Sequence, residues 1–296
     1  MKKISKTIIP PFCFILFNLI KGIGGFLSLQ KSTKAQFKSH QGESLIIIGN
    51  GPSLTDTINL HVDKLKKNNC MTVNFFANTD LFAEIQPSSY LLIDPAFFKD
   101  PNILSEDLKS KVLQLICSFT EKVFWEMTLY LPISANKSFL FKEIKRNKHI
   151  RIVFFNNKGE YHTKLFPSFN YWLWNHNCIA PLAQTVLNSC LTLAITMHYS
   201  YIYIVGADTS WHEDYWMDQK TNDLYTKDKH SYGKEKCRLY KDVAHKSPTR
   251  IHEEFLNVSK ALESYWTLAE YATYNKVKVY NASEYSWIDA FERKSL

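Results

Sequence analysis

The sequence predicts an α/β fold in which a single doubly wound, mostly parallel sheet carries a lid segment. Short and wholly apolar runs, of which residues 45–48 are the clearest, are typical of strands buried on both faces. These runs alternate with helix-length segments, and the alternation indicates a parallel sheet with right-handed crossovers. A chain of 296 residues with 45% apolar side chains is long enough to bury one large core. The sheet is therefore expected to be open and Rossmann-like.

The individual elements follow from the apolar pattern. Strands are predicted at residues 45–48, 71–76, 90–93, 112–117, 150–155, 201–205 and 277–280, the last of which closes the sheet. Helices are predicted from the first glycine turn to residue 65 and at residues 136–148, 161–174, 183–197 and 248–274. The last helix is expected to begin with Ser247 as its N-cap and Pro248 in its first turn.

The N-terminus predicts attachment to a membrane surface. An apolar stretch covers residues 8–29, but its part before Lys21 is shorter than the ~20 residues that a spanning helix needs. Positive charges at Lys2, Lys3, Lys6 and Lys21 suit an anionic leaflet. We therefore expect peripheral contact with anionic inner-membrane lipid on the cytoplasmic face, with a signal peptide or a transmembrane helix as alternatives.

The chain is predicted to divide into an N-terminal segment and one larger domain. Residues 1–35 are expected to form the membrane-associating segment and linker, and residues 36–296 a single α/β domain. Residues of about 209–249 lack an apolar period and carry many charges and aromatic rings. Long segments of this kind inside a domain are usually binding loops, so a lid is predicted there.

The net charge and the cysteine pattern limit the classes of partner and of structural site that fit this chain. A formal charge of +8 favours an anionic partner. The sequence has no zinc-finger spacing and no aromatic RNA-binding motif, so nucleic acid ranks behind lipid and small phosphates. The six cysteines are scattered without any C-x-x-C pair, which argues against a disulfide scaffold and a structural zinc site.

A glycine-rich turn between the first strand and helix predicts a phosphate site. Glycines let a backbone approach a ligand, and the N-terminus of a helix attracts phosphate. The alternative is a tight turn with Ser53 as a helix cap. Leu54 replaces the third glycine of a dinucleotide fingerprint, and no lysine follows as in a Walker loop. The residues of the turn are Gly49, Asn50, Gly51, Pro52 and Ser53.

Polar residues end several predicted strands. Asn74, Asp94 and Asp208 fall at the carboxyl ends of parallel strands, the edge where open α/β sheets bind ligands. Together with Asn50 they are expected to converge on one crevice. His245 and His252, near the start of the last helix, are candidate general bases because imidazole titrates near neutral pH. No D-x-D triplet occurs, so leaving-phosphate stabilisation is expected from hydroxyls, indoles, backbone amides and basic side chains rather than a metal.

Several short motifs resemble, in order and approximate spacing, those of the bacterial lipooligosaccharide sialyltransferases. The Maf-type flagellin glycosyltransferases are also similar, and the resemblance is strongest to uncharacterised polysaccharide-locus proteins. It covers residues 45–293. The motifs are Gly49-Asn50-Gly51-Pro52-Ser53-Leu54, Asn74-Phe75-Phe76, Asp94-Pro95, Gly206-Ala207-Asp208 and His245.

This resemblance implies a sialyltransferase-type variant of the GT-A fold and an enzyme that needs no metal and no cofactor. It implies that Asn50 and Gly51 contact a CMP-linked donor, that Asn74 reads the nucleotide and that His245 is the base. Asp94 stands where those enzymes have asparagine. Their phosphate-binding tyrosines are matched by Ser210 and Trp216, with Tyr215 one place off. The lid residues implied to close over the donor phosphate are Ser210, Trp211, Tyr215 and Trp216.

The hypothesis at this level is a glycosyltransferase that moves a sugar from a nucleotide-activated donor, with CMP preferred, to a surface glycan or lipid-linked acceptor. One alternative is a diphosphokinase-like phosphoryl transferase that holds Mg²⁺ with Asp94 and Asp208. The other is a non-catalytic nucleotide-binding protein of a polysaccharide assembly complex.

Overall fold

The computed structural model describes residues 10–32, 37–159, 166–226, 237–242 and 247–296. The strands are β1 (Ser44–Ile48), β2 (Cys70–Val73), β3 (Ser89–Leu91), β4 (Met127–Pro132), β5 (Ile150–Phe155), β6 (Tyr201–Val205), β7 (Tyr215–Met217), β8 (Leu224–Thr226), β9 (Cys237–Arg238), β10 (Tyr240–Asp242), β11 (Ser247–Pro248), β12 (Lys278–Asn281) and β13 (Glu292–Arg293). The helices are α1 (Pro11–Ser32), α2 (Leu54–Lys67), α3 (Leu81–Ile85), α4 (Glu106–Cys117), α5 (Phe139–Ile144), α6 (Pro167–Asn175), α7 (Val186–Thr196) and α8 (Ile251–Tyr274).

An eight-stranded sheet in the order β13-β12-β6-β1-β2-β3-β4-β5 forms the centre of the fold. Every neighbouring pair in it is parallel. The chain builds the sheet outward from β1 to β5 and then returns to place β6 on the other side of β1. The predicted doubly wound parallel sheet is therefore confirmed. Its strand order reverses between β1 and β6, and such a switch point opens a crevice at the carboxyl ends of the strands.

Both faces of the sheet are covered by helices. Leu45 and Ile47 of β1 pack with buried residues of α6, α7 and α8. Ile46 and Ile48 of the same strand pack with buried residues of α2, α3, α4 and α5. Successive side chains of a strand point to opposite faces, which explains why β1 is apolar throughout its length.

Helix α1 lies against the domain through small and polar residues. Asn18 is fully buried, and the Lys21 ammonium donates to the Gly159 carbonyl at 2.8 Å. A methyl group at Gly25 would collide with the Cys178 carbonyl, whereas one at Gly24 would meet nothing within 4 Å. The buried face of α1 is thus the one that holds Asn18 and Gly25, and it seats the helix closely on its neighbours.

The opposite side of α1 exposes large apolar side chains to solvent. Phe12, Leu16, Ile20, Ile23 and Leu27 are all exposed. The helix has 22 residues and runs through Gly22, Gly24 and Gly25. Within the parts of the chain that the structure describes, no helix combines the length and hydropathy needed to cross a membrane.

Two sequence predictions in the middle of the chain are wrong. Residues 112–117, predicted as a strand, belong to helix α4, where Val112, Leu115 and Ile116 are buried. This spacing of three and four residues puts them on one helical face, and it outweighs the short apolar run. Strand β4 was not predicted, although five of its six residues are buried. The helix predicted at 136–148 is shorter in the structure and corresponds to α5.

The last part of the chain also departs from the prediction. Ser247 and Pro248 lie in strand β11, so neither begins the last helix. Helix α8 begins at Ile251, and the Glu253 carboxylate in its first turn accepts the Arg250 backbone amide at 3.1 Å. Strand β12 does not close the sheet, because β13 pairs with its outer edge. The helix predicted at 161–174 is shorter and corresponds to α6, and residues 160–165 lie outside the described residues.

Candidate functional site

A cavity opens at the switch point of the sheet. It has a volume of about 710 Å³ and lies at the carboxyl ends of β1, β2 and β6 and just past the end of β3. The predicted site residues that line it are Gly49, Asn50, Gly51, Asn74, Asp94, Asp208, Ser210, Trp211 and Tyr215. The expected convergence of Asn50, Asn74, Asp94 and Asp208 on one crevice is therefore what the structure shows. Ser53, Trp216 and His252 do not line this cavity.

The glycines of the first loop let two loops approach each other closely. The Gly49 amide donates to the Val205 carbonyl at 2.8 Å, and the Gly51 amide donates to the Gly206 carbonyl at 2.9 Å. A methyl group at Gly49 would collide with the Gly206 carbonyl oxygen. Gly206 itself has φ of +60°, a conformation that favours glycine. The amides of Gly49 and Gly51 are therefore engaged with the end of β6 and its loop.

Asp208 occupies the position that the sequence assigned to phosphate. Its carboxylate accepts the Ser53 amide at 2.9 Å and the Ser53 hydroxyl at 2.6 Å. Asp208 is 5% exposed, and a methyl group at Gly51 would collide with its Oδ1. A carboxylate at a helix N-terminus is stabilised by the helix dipole and satisfies a first-turn amide. The Ser53 amide and hydroxyl, predicted to contact a donor phosphate at the start of α2, are thus paired with Asp208.

The outer rim of the cavity carries amides and a carboxylate. The Asn50 side chain donates to the Val73 carbonyl at 3.2 Å. Asn74 has φ of +53°, and its carbonyl accepts the Tyr90 hydroxyl at 2.7 Å. Asp94 is exposed and accepts the Ala96 amide at 2.8 Å. Among the described residues the Asn74 side-chain amide has no hydrogen-bond partner, so this group is open to a ligand.

The N-terminus of α7 also faces the cavity, which sequence reasoning missed. Gln184, Thr185, Val186 and Leu187 all line it. Thr185 and Asn188 form a capping box, in which the Asn188 backbone N–H donates to the Thr185 hydroxyl at 3.3 Å. The T-x-x-N spacing is a sequence signature of such a start, but the helix was predicted to begin at residue 183. The first turn of α7 therefore presents backbone N–H groups at this cavity.

Thr209, next to Asp208, has an unusual backbone. Its φ of +52° is rare for a β-branched residue, and the residue is buried. Tyr265 bonds both Thr209 and Thr185, with 3.1 Å between the Tyr265 hydroxyl and Thr185 Oγ1. Burial raises the pKa of the Tyr265 phenol, while these two hydrogen bonds lower it. Strained residues of this kind cluster at functional sites. The sequence gives no signal for this conformation.

Part of the predicted lid forms a small sheet over the cavity. Strands β7, β8 and β9 pair antiparallel, although regular structure was not predicted there. Trp211, Asp214, Tyr215 and Thr226 line the cavity from this side. Burial, and next the charge of Glu254, raise the pKa of Tyr215 to about 12. Its phenol therefore keeps its proton at neutral pH.

Three of the predicted site residues either do not line the cavity or lie outside the described residues. Trp216 stacks on Tyr225 with 4.9 Å between the ring centroids. His252 is exposed in the first turn of α8. His245 lies outside the described residues.

The charge of the cavity is negative where the structure describes it. Asp94, Asp208 and Asp214 line it, and no lysine or arginine does so among the lining residues described. The described part of the chain also holds no group of three or more His, Cys, Asp or Glu side chains that could bind a metal ion.

A known glycosyltransferase shares this fold. The structure of the Maf glycosyltransferase from Magnetospirillum magneticum AMB-1 superposes with a TM-score of 0.50 at 13% sequence identity. The alignment covers 93% of this chain but 38% of that protein, so this chain corresponds to little more than a third of it. No protein-family model matches the sequence, and no curated protein does. The likeness is one of fold.

We expect Asp208→Ala to destabilise the protein by about 1–3 kcal/mol, because it leaves the buried Ser53 amide and hydroxyl without their acceptor. Urea denaturation followed by circular dichroism measures the loss. The control is Asp94→Ala, which removes an exposed carboxylate with one backbone hydrogen bond and should cost less. Equal losses in the two variants would show that the Asp208–Ser53 contact does not stabilise the fold.

Proposed function

We propose that this chain is a glycosyltransferase whose nucleotide-activated donor binds in the cavity at the switch point. The observation that carries the proposal is the meeting of Asn50, Asn74 and Asp94 with lid residues around one 710 Å³ space. That volume lies within the ~300–1,000 Å³ range of ligand pockets. The sequence motifs that resemble the sialyltransferases supply these same residues, and the fold is shared with a Maf glycosyltransferase.

The nucleoside is proposed to bind at the ends of β1 and β2 and beside Asp94. Asn74 offers a side-chain amide with no partner among the described residues, and an amide can both donate to and accept from a base. Asp94 is exposed at the same rim and can accept hydrogen bonds from ribose hydroxyls. A carboxylate there is unfavourable beside a phosphate, which places the phosphate farther along the cavity.

The donor phosphate is proposed to lie at the N-terminus of α7. The N-terminus of α2 is occupied by Asp208, whereas Val186 and Leu187 of α7 line the cavity. First-turn amides and the helix dipole favour an anion. Ser210 and Tyr215 line the same space, and the Tyr215 phenol is neutral at working pH. These groups would stabilise the phosphate as it leaves without a metal ion.

The transfer step needs a base for the acceptor hydroxyl. We propose His245, or else His252, to take this proton while the C1 atom of the sugar gains oxocarbenium character and its bond to phosphate breaks. Trp211 and Tyr215 would exclude water from the reaction. The preferred donor is a CMP-sugar, and the acceptor is a surface glycan or a lipid-linked glycan.

The two alternative functions can be told apart. The first fits the geometry of the cavity less well, and the second differs from a transferase in whether the donor is turned over. A Mg²⁺-dependent phosphoryl transferase would use Asp94 and Asp208 as ligands, yet both oxygens of Asp208 accept hydrogen bonds from Ser53. A non-catalytic nucleotide-binding protein would bind the donor in the same cavity without turning it over.

We expect at least one member of a panel of CMP-, UDP- and GDP-sugars to stabilise the protein, by about 2.7 kcal/mol at 100 times its dissociation constant. Thermal denaturation with each sugar nucleotide measures this. Asn74→Ala should abolish the stabilisation, whereas Asn257→Ala, an exposed residue of α8, should keep it. If no sugar nucleotide raises the melting temperature of the wild-type chain, the donor site is excluded.

Substituting the base should lower turnover and leave folding intact. We expect either His245→Ala or His252→Ala to reduce donor turnover about 10²–10⁴-fold, the usual range for a general base. Each variant is the control for the other, and their urea unfolding midpoints should equal that of the wild type. Unchanged turnover in both variants would remove this mechanism, and nucleotide binding without turnover in the wild type would favour the non-catalytic function.

We also propose that the exposed face of α1 rests on an anionic membrane surface. Phe12, Leu16, Ile20, Ile23 and Leu27 are solvent-exposed along one helix. A surface helix normally points such side chains at the core, so an apolar outer face indicates an interface. The formal charge of +8 adds attraction to anionic lipid.

The double variant Ile20→Asp with Ile23→Asp should co-sediment with phosphatidylglycerol vesicles several-fold less than the wild type, because charged side chains do not enter the apolar layer. Leu60→Asp is the matched control, since Leu60 is equally exposed on α2, at 65%. Vesicles of phosphatidylcholine alone should bind less of every variant. Equal binding by the double variant and the control would refute the role of α1.

A further inference from the structure

A second cavity lies beside the first, between residues 181–184 and helix α8. Its volume is about 250 Å³, and it opens to solvent. None of its residues was singled out from the sequence. The residues that line it are Pro181, Leu182, Gln184, Asn188, Lys260, Glu263, Ser264, Thr267 and Leu268.

Asn188 at the base of this groove holds a hydrogen-bond donor without a partner. Its Oδ1 accepts the amides of Gln184 at 3.0 Å and Thr185 at 2.9 Å, and the Ser264 hydroxyl at 3.1 Å. These donors fix the orientation of the side chain, because only the oxygen can accept them. Its Nδ2 is buried and has no partner among the described residues, and Asn188 is 1% exposed. A buried unpaired donor is uncommon in native proteins and calls for an explanation.

The groove lies next to the main cavity. Gln184 lines both spaces. Thr185 and Tyr265, which are hydrogen-bonded to each other, line the main cavity, and their neighbours Asn188 and Ser264 line the groove. A molecule that lies across Gln184 therefore reaches both the proposed donor phosphate at α7 and the unpaired Asn188 amide.

We infer that the groove is the acceptor subsite and that it takes one sugar residue of the acceptor glycan, whose hydroxyl or carbonyl oxygen accepts the Asn188 Nδ2 donor. This inference rests on the proposed function. Sugar hydroxyls pair with amide, hydroxyl and carboxylate groups, which Gln184, Ser264 and Glu263 provide. Leu182 and Leu268 offer apolar contact to the carbon face of the ring. The lining has one lysine and one glutamate, which fits a neutral or singly charged sugar.

Asn188→Asp tests the inference because it changes one atom of the side chain. The aspartate keeps an acceptor for the amides of Gln184 and Thr185 and is a good residue in the first turn of a helix. It replaces the unpaired donor with an acceptor. Full-length wild type and variant are compared on an array of bacterial lipooligosaccharide and capsular glycan fragments. We expect wild-type binding to a subset of glycans and at least about a tenfold loss of apparent affinity in Asn188→Asp.

Asn257→Asp, on the exposed face of α8, is the matched control and should bind the same glycans as the wild type. Stabilisation by the donor sugar nucleotide is measured on the same three proteins and should persist in all of them, equal in wild type and Asn257→Asp and weaker in Asn188→Asp because the new carboxylate lies near the proposed phosphate position. Glycan binding that is unchanged in Asn188→Asp, or absent from the wild type while the sugar nucleotide still binds, overturns the subsite and leaves the proposed function standing. Loss of sugar-nucleotide binding in Asn188→Asp alone overturns it too, since the groove would then belong to the donor site. A wild-type chain that binds no sugar nucleotide removes the proposed function itself.

Discussion

Asp208 joins the two halves of the sheet at the point where the strand order reverses. Asp208 follows the end of β6, and its carboxylate accepts two hydrogen bonds from Ser53, the residue before α2. Gly51 gives the carboxylate room, and Gly49 lies against Gly206 in the same contact. Five loop positions thus hold the ends of β1 and β6 together, and the cavity lies in the space beside them.

This contact changes where an anion can bind. In many nucleotide-binding α/β folds the phosphate lies on the helix that follows the glycine loop. Here a side chain of the protein takes that place, so the donor phosphate is proposed to lie at α7 and beside hydroxyls of the lid. The cavity therefore combines a rim of Asn50, Asn74 and Asp94 with a second helix N-terminus at Val186.

The sequence predicted the fold class and the rim of the cavity formed by Asn50, Asn74 and Asp94. Parallel strands share one edge at their carboxyl ends, so residues that follow β1, β2 and β6 must come together whatever lies between them. Side-chain pairing does not follow from this rule. Ser53 and Asp208 are 155 positions apart, and nothing local in either segment indicates that each satisfies the other. The left-handed backbone of Thr209 is equally hidden, because β-branched residues rarely adopt it.

The wrongly predicted elements also depend on contacts between segments that are distant along the chain. The apolar residues of α4 are spaced for a helix, but a short run of them also fits a strand, and packing against the sheet decides between the two. The start of α7 was placed too early because residues before Thr185 are also small or apolar. That displacement hid the first-turn amides, and with them the groove next to Asn188.

The position of a bound nucleotide tests the central claim most directly. A crystal structure of the full-length protein with CMP or with the sugar nucleotide that stabilises it would show this position. The account predicts a nucleoside against Asn50, Asn74 and Asp94, a phosphate at the first turn of α7, and an intact Asp208–Ser53 contact. A phosphate at the start of α2 with Asp208 displaced, or a nucleotide bound outside this cavity, would contradict it.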